Sequence, residues 1–253
     1  MSNNWESTVQ KLETGEIRAA EKIDGIWVAN KEVKSSILEV FKAGDLKEMS
    51  SENYPGFVDK HTLPPRSFSV EDKIRLVPGG SSVRSGAYVA PGVIIMAPAY
   101  VNIGAYIDSG TMVDSNVLVG SCAQIGKNVH LSAGVQIGGV LEPIGLTPVV
   151  IEDDAFIGAG SSIVEGVVVR EKAVIAPGVV LSKGTLVYDC VNEKIFNAIE
   201  GIPSNAVVVP GSRPVNDKLP WAKELGINLN CAVIVKYRDG KTDDALELES
   251  FIR

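Results

Sequence analysis

The sequence predicts a mainly β protein built on a parallel β-helix of six-residue units, and three observations carry that prediction. Across residues 83–187 a branched aliphatic residue returns at every sixth position: Val83, Val89, Ile95, Val101, Ile107, Val113, Val119, Ile125, Leu131 and Ile137, then Ile151, Ile157, Ile163, Val169, Ile175, Leu181 and Val187. Four positions after each comes a second small or β-branched residue, such as Ala87, Ala105, Thr111, Val129 and Ser161. Glycine often sits between the two, as at Gly86, Gly104, Gly134 and Gly178. Neither a helix of period 3.6 nor a strand of period 2 keeps this phase for so long, whereas a solenoid does.

Each hexad supplies one short flat strand and one corner. The aliphatic points inward, the small residue lies beside it, and Gly or Asn takes the corner, where positive φ is cheap. Three hexads close an 18-residue triangular coil, so seventeen aliphatics make between five and six coils. At about 4.8 Å per layer the column is roughly 25–30 Å tall. Hexads of this kind wind left-handed, against the usual crossover rule, although spacing alone does not give the hand. The fold class is therefore a left-handed parallel β-helix of hexapeptide repeats, with a small helical N-terminal segment and a mixed C-terminal tail.

The flanks divide the chain into residues 1–70, 71–190 and 191–253. In the first, Trp5, Val9 and Leu12 fall at helical spacing, and Val33, Ile37, Leu38 and Phe41 mark a second amphipathic helix. Between them IWVA reads as a short strand after a DG turn, and 43–70, with Pro55, Pro64 and Pro65, reads as an irregular connection. The N-terminal segment is expected to cover the first coil, because open strand edges need covering. One lapse interrupts the column: Ile137 to Ile151 is two residues more than two hexads, around GGVLEPIGLTPVV. A loop near 138–150 is expected there, and loops on rigid scaffolds collect binding groups. In the tail AVVVPG (206–211) and CAVIVKY (231–237) read as strands, RDGK (238–241) as a turn and 244–253 as a helix that caps the far end or reaches a neighbouring subunit.

The 253 residues carry a net charge of −7, which argues against nucleic-acid binding and against an anionic membrane surface. Cys122, Cys190 and Cys231 lack metal spacing and read as free thiols. No apolar leader or membrane-spanning run is present, so a cytoplasmic protein is expected. A hexad solenoid suggests acyl transfer, three-histidine zinc chemistry or a noncatalytic scaffold. With His61 and His130 as its two histidines, the chain lacks a three-His site, and no metal is expected. Transfer of an acyl group to an amine needs a base and oxyanion donors. His130 is one candidate base, or a coil-surface histidine bonding to the next layer. Asp114, following inward Val113 in the apolar TMVDSNVLVG, is another. Glu152, Asp153 and Asp154, at the loop exit, read as a solvated acidic cluster.

The strings AYVNIGAYIDSGTMVDSNVLVGSCAQIGKNVHLSAGVQIGGVLEP (99–143), PVVIEDDAFIGAGSSIVEGVVV (148–169), IRLVP (74–78), GEIRAAEKIDGIWV (15–28) and CAVIVK (231–236) closely resemble the tetrahydrodipicolinate N-succinyltransferase family. The resemblance covers most of the chain. It implies a homotrimer with active sites in clefts between subunits and no metal. It implies succinyl transfer from succinyl-CoA to the amine of ring-opened tetrahydrodipicolinate, 2-amino-6-oxopimelate, in the diaminopimelate–lysine pathway. It implies that Arg75 binds a substrate carboxylate, a task suited to a guanidinium fork, and that Asp114 binds or deprotonates the amine. Small residues at Gly139, Ala159 and Ala176 would let the pantetheine arm approach, and Lys183 or Arg213 would meet the phosphates. The chain departs from the family at GAGSS, where Gly160 and Ser162 replace an Arg and a proposed acid–base Glu. It departs again where Ser115 and Asn116 follow Asp114 and where IGLTP follows IGGVLEP; the N-terminal helical domain is also shorter by about one helix. Asp114 with water, Glu165 or Glu142 would then complete the acid–base chemistry. Acetyl-CoA or another amino-acid acceptor on the same scaffold, and a noncatalytic scaffold, are the alternatives.

Overall fold

Three ladders of two-residue parallel strands form the walls of a triangular column in the computed structural model, which describes residues 4–51 and 54–239. The first face stacks Tyr88–Val89, Tyr106–Ile107, Gln124–Ile125, Val150–Ile151 and Val168–Val169. The second runs Arg75–Leu76, Ile94–Ile95, Met112–Val113, His130–Leu131, Phe156–Ile157 and Val174–Ile175. The third runs Ser82–Val83, Tyr100–Val101, Leu118–Val119, Gln136–Ile137, Ser162–Ile163 and Val180–Leu181. The register confirms one turn per 18 residues, with Tyr106 opposite Gln124 and Ile107 opposite Ile125. Every expected inward aliphatic is at most 5% exposed, so the column's interior is a dry, close-packed core.

Corners depend on residues that tolerate a left-handed backbone. Glycine fills many of them, and Asn116 and Asn128 have φ of 62° and 53°. Cys122, Asp154 and Lys172 also adopt this conformation, which the Gly-or-Asn expectation had not included. Cys122 lies in the corner above Gly104. A Cβ on Gly104 would come within 2.8 Å of Ile37 Cδ1 and 3.1 Å of Cys122 Sγ. That corner is bare so that a helix can sit on it.

The helix in question is α2 (Lys31–Ala43), capped by Asn30, whose side chain accepts from the Val33 N–H. It packs with α1 (Asn4–Glu13) through Leu12, Val33, Ile37, Val40 and Leu63 onto Ile103 and Cys122 of the column. A hairpin of β1 (Ala20–Ile23) and β2 (Ile26–Ala29) follows α1. This segment does not cover the first coil as expected. It climbs the column's side, from Gly86, whose N–H donates to Glu13, up to Glu152. The first coil is closed instead by the stretch leading into it, where Pro65 bridges Arg84 and Phe68 and Ile74 pack on the core.

Two further expectations need correction. Within 43–70 the chain forms an antiparallel hairpin, β3 (Leu46–Ser51) with β4 (Tyr54–Lys60), rather than an irregular connection. The lapse after Ile137 is eight residues beyond a normal hexad step, because Gln124 pairs with Val150, 26 positions on instead of 18. No hexad is hidden inside the loop.

At the far end Ala206–Pro214 extends the second face by pairing with Val174–Ile175, and Asn228–Tyr237 pairs with it antiparallel. Both expected tail strands are therefore present. Ala198, Ile202, Ala206, Val208, Ala232 and Ile234 are fully buried on the last coil. The expected turn at 238–241 lies only partly within the described residues, and the expected helix at 244–253 lies outside them. No helix among the described residues is long and apolar enough to cross a membrane.

Candidate functional site

Arg75 and Asp114 project from the second face. Since Val113 points inward, Asp114 points outward at the edge where the second face turns into the third. Its backbone N–H donates to Leu131 O, and its Oδ1 accepts from the Ser115 N–H at 2.7 Å. Oδ2 receives no protein donor among the described residues, and the side chain is half-buried. Arg75 pairs with Ile94, which pairs with Met112, so it stands two layers below Asp114 on the same outer surface. Beside Arg75 a groove of about 500 Å³ runs past Phe68, Ile74, Leu76, Pro78 and Gly79.

His130 occupies the same outer row, between Met112 and Phe156. Its ring lies 5.0 Å from that of Phe156, so it stands on the coil surface and meets the next layer through a ring contact.

The small residues separate into two groups. Ala176 lies on the Asp114 edge, in the row Asp114, Ser132, Gly158, Ala176 defined by successive backbone bonds. Ala159 is exposed at the corner beside it. Gly139 and Lys183 lie on the next edge, between the third and first faces. Gly139 has a structural reason to be bare: a Cβ there would sit 2.6 Å from Ser121 N. Lys183 is exposed, and its N–H donates to Glu165 Oε2. Arg213 Nη1 donates to the neighbouring Pro214 carbonyl at 3.4 Å.

The same division bears on the replaced acid–base residue. Ser162 faces outward from the third face. Glu165 is at the edge away from Asp114, its carboxylate bound to the Lys183 N–H, and Glu142 leaves the column in the 140–149 loop. The structure brings neither to Asp114.

Sequence reasoning placed Glu152 in solvent, and this is corrected: it is 9% exposed. Its Oε1 accepts from Lys22 Nζ at 2.7 Å and Trp27 Nε1 at 2.8 Å, and its Oε2 from the Glu171 N–H at 3.1 Å. Burial by itself raises the carboxyl's pKa, but the bonds from Lys22, Trp27 and Glu171 and the Lys22 charge outweigh it and bring the group below its ordinary value. Glu152 fastens the N-terminal hairpin to the column. Cys122 is inert by the same logic, since burial pushes its thiol up to about 12.

A parallel column of hexads is the framework of the hexapeptide-repeat acyltransferases, and the outer surface of this one carries the Asp114 carboxylate and the Arg75 guanidinium. The model for the hexapeptide repeat of succinyl-transferase matches residues 148–183, and that for the tetrahydrodipicolinate N-succinyltransferase N-terminal region matches residues 2–42. Over 249 residues the chain is 45% identical to the 2,3,4,5-tetrahydropyridine-2,6-dicarboxylate N-succinyltransferase of Paraburkholderia phymatum, covering 97% of this chain and 86% of that one. The Burkholderia mallei enzyme of the same name is 44% identical over the same shares. The chain belongs to the tetrahydrodipicolinate N-succinyltransferase family and is an acyltransferase, a class whose succinyl group comes from an acyl-CoA. A solved Campylobacter jejuni structure, assigned as a 2,3,4,5-tetrahydropyridine-2-carboxylate N-succinyltransferase, shares the fold with a TM-score of 0.58 at 17% identity. The match covers 91% of this chain, which spans 62% of that longer one. With hexads of this family the column is the left-handed parallel β-helix.

Proposed function

We propose that the chain transfers succinyl from succinyl-CoA to the amino group of ring-opened tetrahydrodipicolinate, within diaminopimelate and lysine biosynthesis. The observation that carries this reading is the placement of Arg75 and Asp114 on one outer surface, two strand layers and two residues along the strand apart, or about 12 Å. That separation suits a seven-carbon amino dicarboxylate held at both ends, with Arg75 on a carboxylate and Asp114 at the amine. A noncatalytic scaffold has no use for such a pair.

In the proposed reaction the amine nitrogen attacks the thioester carbonyl and the new C–N bond forms. The surplus proton passes to the open Oδ2 of Asp114, which the Ser115 N–H holds in place. Backbone N–H groups of the cleft hold the oxyanion. Collapse breaks the C–S bond, and the proton on Asp114 returns through water to the CoA sulfur. The assignment needs no second carboxylate, in keeping with Ser162 and with the distance of Glu165 and Glu142 from this edge. Ala159 and Ala176 are the better-supported neighbours of the pantetheine arm, since they share the Asp114 edge. Gly139 and Lys183 fit only if the arm crosses the third face. A cytoplasmic homotrimer, with neighbouring columns walling the cleft, belongs to the same proposal.

Thiol release from succinyl-CoA and acetyl-CoA, with 2-aminopimelate as a stable acceptor, tests it. Succinyl-CoA is expected to be the preferred donor. Asp114→Asn should lower kcat by about 10²- to 10⁴-fold with unchanged circular dichroism, and Arg75→Gln should act mainly on the acceptor KM. No thiol release with this acceptor from well-folded protein, or an Asp114→Asn enzyme of full activity, would sink the reading.

A further inference from the structure

A second cleft lies on the opposite side of the second face from Asp114, where the N-terminal hairpin meets the first face. It holds about 310 Å³ and is bounded by Arg18, Trp27, Asp108, Lys127, Asp153 and Glu171, with Glu152 and Lys22 in its wall. Arg18 dominates it. The guanidinium carbon sits 3.6 Å above the Tyr106 ring and 5.6 Å from that of Trp27. Its Nε donates to Gln124 Oε1 at 2.9 Å. One edge and one face of the fork are thereby fixed. Its two terminal amino groups donate to no protein group among the described residues.

The charges around the fork decide what it can accept. Lys22 and Glu152 neutralise each other at 2.7 Å. Asp108, Glu21 and Asp153 act on Arg18 through their charge without reaching it in an ion pair. Asp108 uses Oδ1 for the Ser109 N–H, and Asp153 uses Oδ1 for the Lys127 N–H. Each keeps a second oxygen. A bare anion would meet the fork but also four carboxylates, Asp108, Glu21, Asp153 and Glu171, against Lys127 as the one further unpaired cation of the lining among the described residues. A bare cation would leave the fork unfilled. A molecule with a carboxylate and an ammonium a few ångströms apart satisfies both, and the Trp27 indole offers a wall for an aliphatic side chain.

We propose that this cleft is a binding site for a zwitterionic α-amino acid, its carboxylate on the Arg18 fork and its ammonium between Asp108 and Asp153. The site is separate from the acyl-transfer surface, because the width of the second face lies between Asp108 and Asp114.

Calorimetric titration of the intact protein, without CoA, tests this with glycine, L-alanine, L-norleucine and L-lysine as probes. Acetate and methylammonium serve as single-charge controls. At least one amino acid is expected to bind saturably below 10 mM, as an order of magnitude for a site with two charged contacts, with neither control binding in that range. Arg18→Gln should weaken that binding at least about tenfold, the loss of one charge-assisted contact. Since Arg18 also helps dock the hairpin, Asp108→Asn provides a milder variant: it keeps the acceptor for Ser109 and should weaken binding by a similar factor. Arg75→Gln should leave it unchanged, which separates this site from substrate binding. Saturable binding of none of the four amino acids, equal binding of acetate, or an affinity indifferent to Asp108→Asn in folded protein would overturn the proposal.

Discussion

Glu152 and Asp114 occupy the same place in their hexads, one position after an inward aliphatic, and their neighbours give them opposite uses. Asp114 gives one oxygen to the Ser115 N–H and keeps the other open. Glu152 is filled by Lys22, Trp27 and the Glu171 N–H. A buried carboxylate held below its ordinary pKa contributes stability above the unfolded value near 4.5. That contribution is lost as pH falls through the lower folded value. Glu152→Gln is expected to lower stability at pH 7 by about 1–3 kcal/mol, the worth of charge-assisted bonds. The deficit should shrink as pH falls below 4.5, and urea melts at pH 7 and in acid read it directly. An equal deficit at both would assign the loss to packing rather than charge. Nothing local distinguishes these residues, since the partners Trp27 and Lys22 are 125 and 130 positions from Glu152 in the chain. The sequence shows a carboxylate in the hexad, but its use depends on what folds against that face.

The elements were legible to the degree that they bury a face. Both N-terminal helices carry an apolar stripe and were readable from it, as was the strand IWVA. The β3–β4 hairpin was not, because it buries little: Leu46 is 72% and Val58 64% exposed. Its strands pair mainly with each other and leave no strong alternation in the sequence. The 140–149 loop was legible as an insertion, but its structural role depends on Lys34. That lysine is fully buried in α2, and its ammonium donates to Leu146 O at 2.7 Å and Pro143 O at 3.2 Å. Burial lowers its pKa. Lys34→Met keeps the volume but leaves both carbonyls without their donor. A loss of about 1–3 kcal/mol is expected, with faster amide exchange in 140–149 and unchanged protection in the strands. Uniform loosening of column and loop together would show that Lys34 supports the whole docking surface instead.

At the scale of the molecule, a hexad solenoid is one-dimensional: each coil repeats the last, so a period in sequence becomes a period in space. That is why the column could be read from spacing alone, down to its inward residues, while its ends could not. Closure has no period. At the far end it depends on Ala206–Pro214 continuing the second face and on Asn228–Tyr237 folding back over it. Ile234, with no exposed surface, completes the core there, whereas its neighbour Val235 is 48% exposed. Ile234→Asp would bury a charge with no partner, costing at least about 3 kcal/mol, and would loosen the cover over the last coil's strand edges. In a chain of this length that is a fall of about 6–12 °C in Tm. Freed strand edges pair with other chains, so light scattering should rise with the transition. Val235→Asp introduces the same charge one residue away on the outer surface and should change stability by no more than about 0.5 kcal/mol. If the two variants melt together, the end of the column is held by something other than this closure, and the buried strand pair is not its cap.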